Sequence, residues 1–421
     1  MGERCRHFSI EELPSHLVLE ILCSGRLSAK DLVCLELTSK TFGGSHGLYP
    51  FKFKSLIDFA AFQLCASHVI HSRMDLNAQR ELYDRCEGNW KRVLRFLQSV
   101  EQSSTLVETS SGNVFTCGDN SSSCCGHRDT SRPIFRPRLV ESLKGIPCKQ
   151  VAAGLNFTVF LTRQGHVYTS GTNTHGQLGH GDTQDRPTPK IIEALGNVGS
   201  VVQIAAGPSY ILSVTENGAV YSFGSGANFC LGHGEQHNEL QPRAIQKFRR
   251  KGVHIVRVSA GDEHAVALDS NGFVYTWGKG YCGALGHGDE IEKTTPEILT
   301  SLKNHLAVQV CARKRKTFVL VDSGSVYGFG SMGFGSLGFL DRRISDKVLK
   351  PRILDTLRAH RVSQISTGLY HTVVITSRGK IFGFGDNERA QLGHDTLRSC
   401  LEPIEIFIRD SSEEVDPIES I

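Results

Sequence analysis

Histidine, cysteine and clustered lysine and arginine are the side chains of this sequence best placed to do chemistry, and their spacing decides which chemistry to expect. A histidine follows a glycine at His127, His180, His233, His287 and His394, once in every fifty or so residues. Metal ligation needs three or four donors converging on one ion. Donors spaced evenly along a repeat occupy equivalent places in separate units, a ring too wide to share an ion, so a structural role is expected and no metal site. The thirteen cysteines stand singly apart from Cys124-Cys125, with no C-x-x-C. That argues against a disulfide framework and a zinc site and leaves reduced thiols. There is no P-loop or H-E-x-x-H, and the acids and histidines recur unit by unit instead of converging. The expectation is a protein that is not an enzyme, uses no cofactor and works by binding.

Two basic runs are candidate partner-binding residues: Arg313, Lys314, Arg315 and Lys316, and Lys247, Arg249, Arg250 and Lys251 around Phe248. The formal net charge is only +4, so these are local features. They suit an acidic partner, nucleic-acid phosphate or an import receptor, against the alternative of a solvated loop. Emerging on one face they would form a positive patch; at opposite ends they would not.

The elements that must position these residues are written six times. Val274-Tyr275-Thr276-Trp277-Gly278 is echoed by the pentads ending at Gly118, Gly171, Gly224, Gly330 and Gly385, at intervals of 52 to 55 residues. Eight residues beyond each closing glycine stands another: Gly126, Gly179, Gly232, Gly286, Gly338 and Gly393, followed by histidine in all but Phe339. Around Gly278 the sequence predicts strands over His254–Ala260, Ala265–Leu268 and Phe273–Trp277, turns at Gly261 and Ser270-Asn271-Gly272, and a fourth strand after Pro296. A sheet apolar on both faces cannot bury itself alone, so copies must stack. Four strands in about fifty residues predict a mainly β fold, a β-propeller of six recognisable four-stranded blades, with Phe223, Trp277, Phe329 and Phe384 between them. A seventh blade assembled from flanking residues such as Leu401 to Ile408 is the alternative.

The string GxxHTxxLTxxGxVYxWGxxxxGQLGHG, visible in His175 to Asp182 and in Gly368 to Thr372, resembles the regulator-of-chromosome-condensation repeat over residues 92–408. Kelch repeats have a similar period but another glycine and aromatic spacing. The first copy is expected to begin at Val93-Leu94-Arg95-Phe96-Leu97. The founding member is an exchange factor for a Ran-type GTPase that sits on nucleosomes, so exchange activity or a chromatin or protein scaffold is the alternative function; neither a long inserted hairpin nor a basic N-terminal arm is evident here. The plant ultraviolet-B receptor shares the repeat but senses light with clustered tryptophans. This chain has two, Trp90 and Trp277.

Ahead of the repeats, Leu13, Leu17 and Ile21 fall on one helical stripe, with Pro14 in the first turn. Ser28-Ala29-Lys30-Asp31 reads as the start of a second helix carrying Leu32 and Leu37. LPxxLxxEIL followed by DLxxxxxxSKxF resembles an F-box in residues 1–50, a small all-α domain. The resemblance implies that Leu13, Pro14, Leu17, Ile21, Leu22, Leu32 and Leu37 grip a Skp-type adaptor with its cullin, making the chain a substrate receptor of an SCF-type ubiquitin ligase whose propeller face holds an unknown target. The closing Leu-Trp of that motif is missing. The alternative is a helical pair that buries its stripe against the propeller. Residues 51–91 are expected to be a helical spacer, or to pack on the first blade, and 409–421 an acidic disordered tail. No apolar run approaches membrane-spanning length and no signal peptide is evident, so a soluble protein of the cytoplasm or nucleus is expected, with no membrane partner.

Overall fold

The computed structural model describes residues 19, 21–24, 27–38, 55–102, 112–130, 132–340, 346–394 and 396–407. Twenty-two strands lie in six sheets: β1 (Phe115–Gly118) with β2 (Ile134–Leu139), and five four-stranded antiparallel sheets, β3–β6, β7–β10, β11–β14, β15–β18 and β19–β22. Each of the five is a meander from the inner to the outer strand, and the fold is the expected β-propeller. In the third of them, β11 (Ile255–Ala260), β12 (His264–Asp269), β13 (Val274–Gly278) and β14 (Lys293–Ile298) pair in order, with His264 opposite Gly278 and Tyr275 opposite Ile298, and the register shifts once between β11 and β12 and once between β13 and β14. The turn at Ser270-Asn271-Gly272 is built as its residues predict: Asp269 Oδ1 accepts from the amides of Asn271 and Phe273, and Gly272 sits at φ +77°.

Repeated landmarks explain one another across blades. The aromatics Phe223, Trp277, Phe329 and Phe384 are fully buried. Each faces a glycine of the preceding blade: a Cβ on Gly179 would meet Phe223 at 2.8 Å, on Gly232 the Trp277 indole at 2.9 Å, on Gly286 Phe329 at 2.8 Å and on Gly338 Phe384 at 3.0 Å. Trp277 Nε1 also donates to the Cys230 carbonyl of the preceding blade at 2.8 Å. The wedge between blades is thus an aromatic ring seated on a backbone that only glycine leaves open. Proline stands in every outer strand, at Pro137, Pro189, Pro242, Pro296, Pro351 and Pro403, where a missing N–H costs no ladder bond and blunts the sheet edge. The fourth strand therefore runs through Pro296 instead of following it.

Val93–Leu97, expected as the first propeller strand, lies in a helix. Among the described residues, helices α1 (Ala29–Thr38), α2 (Leu56–Ser67), α3 (Val69–Arg73), α4 (Leu76–Arg85) and α5 (Trp90–Gln102) precede the sheets. The Asn89 side chain caps α5 by accepting from the amides of Lys91 and Arg92, and Val93, Leu97 and Val100 repeat at helical spacing and are buried. Leu401–Ile406, the other ambiguous stretch, belongs to β22 (Cys400–Ile406), the outer strand of the sixth sheet, and not to a seventh blade; Ile408 lies outside the described residues.

Candidate functional site

Strands in a meander alternate direction, so the turns between first and second strands and the loops between third and fourth strands share one end of the propeller. Turns between second and third strands and connections between blades share the other. The helices close this second end. Arg85 donates to the carbonyls of Lys303 (2.8 Å) and His305 (2.7 Å) and lies over the Phe273 ring. Arg92 pairs with Asp322 at 2.9 Å, Arg73 with Glu216 at 3.2 Å, and Asn271 Nδ2 donates to Glu81 at 2.9 Å. These contacts reach three successive blades, so the helical segment neither stands off as a spacer nor packs on the first sheet.

One residue shows how the repeat was altered to hold the helices. Gln150, Gln203 and Gln309 occupy the same place on inner strands, and each side-chain amide brackets the backbone of the next inner strand, as Gln203 does with Val258 at 2.8 and 2.7 Å. In the third four-stranded sheet that place is Arg257, whose guanidinium donates instead to the Val100 carbonyl of α5 at 3.0 Å from Nε and again from Nη2.

The described helices leave the opposite end open. A groove of about 480 Å³ there is lined by Pro208, Ser225, Asn228, Asp262, Glu263 and Arg315, among others. Glu263 pairs with Lys279 at 3.2 Å and with Arg315 at 3.4 Å. Arg315 lies over the ring of Tyr281, and Lys314 contacts the hydroxyl and ring of Tyr370, whose ring meets Phe334 edge-on. Tyr281 and Phe334 are 48% and 46% exposed, so aromatic surface and paired charge lie side by side facing solvent.

The histidines after glycine are loop fasteners. Thr116, Thr169, Ser222 and Thr276 each donate their hydroxyl hydrogen to a carbonyl of the following loop, at 2.7 to 2.9 Å, and each lies within 2.9 to 3.1 Å of a histidine Nε2. With its hydrogen so engaged the hydroxyl must accept, which places the imidazole proton on Nε2. Burial pushes His180 and His233 down to about 4, so they are neutral at pH 7. Where the hydroxyl residue is Gly328 the histidine is replaced by Phe339, covered by Arg352, and where it is Gly383 the released His394 is exposed.

The two basic runs lie at opposite ends and form no shared patch. Lys247, Arg249, Arg250 and Lys251 lie on or just beyond α7 (Gln246–Arg250; α6 is Glu193–Gly196), a connection between blades at the helix-covered end, with Lys247 bonded to Thr295 at 3.0 Å. Arg313 to Lys316 lie at the open end and diverge. Arg313 lines the central cavity of about 680 Å³, Lys314 and Arg315 point to the surface, and Lys316 is fully buried with Nζ 3.2 Å from the His371 carbonyl. Burial, then the nearby Lys314 charge, pushes the Lys316 amine down to about 7. Lys316 substitutes for the residue that links blades elsewhere, as Tyr210 does to the His264 carbonyl and His264 to Thr317.

Of the residues assigned to adaptor binding, Leu13, Pro14 and Leu17 lie outside the described residues and Leu37 is placed only as part of α1. Leu22 and Leu32 are fully buried in a core shared with α2 and α5, which removes them from any surface a partner could touch; Ile21 is 42% exposed. Sequence reading missed Arg257, Glu263, Lys279, Tyr281, Phe334 and Tyr370. Only Arg257 carried a signal, as arginine at a position that otherwise holds glutamine.

Five segments, residues 111–161, 164–214, 217–268, 271–320 and 323–375, match the regulator of chromosome condensation (RCC1) repeat. The ultraviolet-B receptor UVR8 of Arabidopsis thaliana is 35% identical over 69% of this chain and 64% of its own length. The E3 ubiquitin-protein ligase HERC2 of Homo sapiens is 33% identical over 74% of this chain and 6% of its own. The chain therefore spans under two thirds of either relative. Yeast RCC1 (Prp20), solved bound to Kap60, shares the fold at 22% identity and a TM-score of 0.63 over 73% of each chain. Trp90 packs on Phe62 and Tyr83 among the helices, far from the inter-blade wedge that holds Trp277. A ligase among the relatives overturns the expectation that the chain is no enzyme: the repeat occurs in proteins named for catalysis, and its presence does not exclude it. No helix among the described residues is long and apolar enough to cross a membrane.

Proposed function

The chain belongs to the regulator of chromosome condensation (RCC1) repeat family, and from that premise we propose that it is a substrate-recognition subunit of an SCF-type ubiquitin ligase acting in the cytoplasm or nucleus. The observation that carries this reading is the division of labour between the two ends. Helices that follow the F-box-like segment in the chain pack on one end, and among the described residues the other is left free for a target. The N-terminal pattern LPxxLxxEIL supplies the adaptor-facing stripe, with Leu17 and the exposed Ile21 as its contacts and Skp-type adaptor and cullin as its partners. The aromatic and charged groove around Arg315, Glu263 and Tyr281 receives the target, its paired charges giving orientation and its aromatic rings contact area. The named ligase activity of a relative that shares the repeats agrees with this assignment. Tethering raises the target concentration beside the ligase.

The test is co-purification of the full chain with a Skp-type adaptor. The reading expects capture by the unaltered chain and its loss with Leu17→Asp and Ile21→Asp, while circular dichroism and thermal unfolding stay unchanged. No capture by the unaltered chain, or equal capture by the variant, contradicts it.

A further inference from the structure

A second pocket, of about 360 Å³, lies where the helices meet the propeller, spanning the ends of three successive blades. Its walls are aliphatic: Val69 and Ile70 from α3, Val100 from α5, and Val202, Ile255 and Val256 from β7 (Val201–Ala206) and β11. Val69 and Val202 remain 53% and 38% exposed, while Val100, Ile255 and Val256 are buried.

Among the described residues of the rim, cations outnumber carboxylates. The one acid among them, Glu216, is held by Arg73 through its carboxylate and its carbonyl. Arg257 is committed to Val100. His254 is pushed below the usual imidazole range by burial and by Arg73, which leaves it neutral. Two cations remain. Among the described residues, Lys149 Nζ reaches the Val201 carbonyl, at a long 3.4 Å, and Arg163 is exposed at the mouth and forms no ion pair. Burial and the Arg257 charge make the Lys149 ammonium harder to keep protonated, a penalty that a bound anion relieves.

We propose that this pocket binds a small aliphatic carboxylate, its hydrocarbon chain between Val69, Ile70, Val202 and Ile255 and its carboxylate at Lys149 and Arg163. A bare inorganic anion would leave the aliphatic walls wet, and a neutral hydrocarbon would leave two partly desolvated cations without a counter-charge. A ligand seated here touches α3 on one side and three blades on the other. Its binding therefore tightens the helical layer on the propeller, because a ligand stabilises the state that presents both walls. The inference stands independently of any ubiquitin-ligase role.

Decanoate is the probe, titrated calorimetrically into the full chain, with thermal unfolding as the second readout. Saturable binding at one site and a raised Tm are expected. Lys149→Glu with Arg163→Glu should weaken binding at least about tenfold, the scale of a lost charge-assisted contact, with the ligand-free Tm unchanged. Val69→Trp enlarges an already exposed helix residue into the pocket and should abolish binding. Decanol binding as tightly as decanoate, displacement by inorganic phosphate, or no saturable heat would each overturn the proposal.

Discussion

The two ends of the propeller are made from the same repeat and treat charge in opposite ways. At the helix-covered end, arginines depart from the repeat to reach across to another layer: Arg257 replaces a glutamine and Arg85 and Arg92 arrive from the helices. At the open end, charged side chains pair with near neighbours such as Glu263 and Lys279 and leave aromatic rings exposed. A repeat is neutral about what it binds. The deviations from it mark which end has been committed to the chain's own helices and which is available.

The comparison breaks most readily at the covered end. Leu32→Asp places an uncompensated charge in the shared helical core and should cost about 3–5 kcal/mol, detected as early cleavage of residues 55–102 by protease while the sheets persist. The same asymmetry has a titration signature. Burial pushes Asp269, beneath the helices, up to about 7, although two amides, the Tyr275 hydroxyl and Arg85 oppose the shift. Its folded form holds a proton that the unfolded form has released, so stability should fall as pH rises from about 4 toward 7. Lys316, at the open end, is depressed to about 7, and the unfolded form holds the extra proton. Stability should then rise between pH 7 and about 10.5. Asp269→Asn should flatten only the first limb and Lys316→Met only the second, as read from urea midpoints across pH. Arg257→Gln restores the residue of the other blades and should loosen α5 by about 1.5–3 kcal/mol, visible as faster amide exchange over residues 90–102. Arg315→Ala, at the open end, breaks a surface pair and should change stability by less than about 1 kcal/mol. A loss at Arg315 comparable to that at Arg257 would erase the distinction between the ends.

Much of this architecture was legible in the sequence because the repeat states it six times. Closing glycines, aromatics and histidines fixed the blades, and the structure adds why they keep company: each aromatic needs the glycine of the blade before it, and the four histidines His127, His180, His233 and His287 each bond a hydroxyl eleven residues earlier. Elsewhere one signal admitted two readings. The apolar run Val93–Leu97 suits a buried strand or a helix, and the Asn89 cap with Val100 one turn further decides for the helix. Four consecutive charges read as one basic loop, yet side chains alternate across a strand, and Arg313 and Lys316 lie at strand ends that send one to the central cavity and the other inward. The open-end site was not legible, since Glu263 and Tyr281 of one blade meet Arg315 of the next, and Lys314 beside it meets Tyr370 of the blade after, only when the blades stack.

Amide hydrogen exchange of the full chain, alone and with a Skp-type adaptor, tests most directly the claim that the ends serve separate partners. The account predicts protection confined to the N-terminal segment and helices α1 to α5, with exchange at residues 279–292, 314–315 and 333–335 unchanged. Protection centred on those open-end loops, with the helices unaffected, would contradict it.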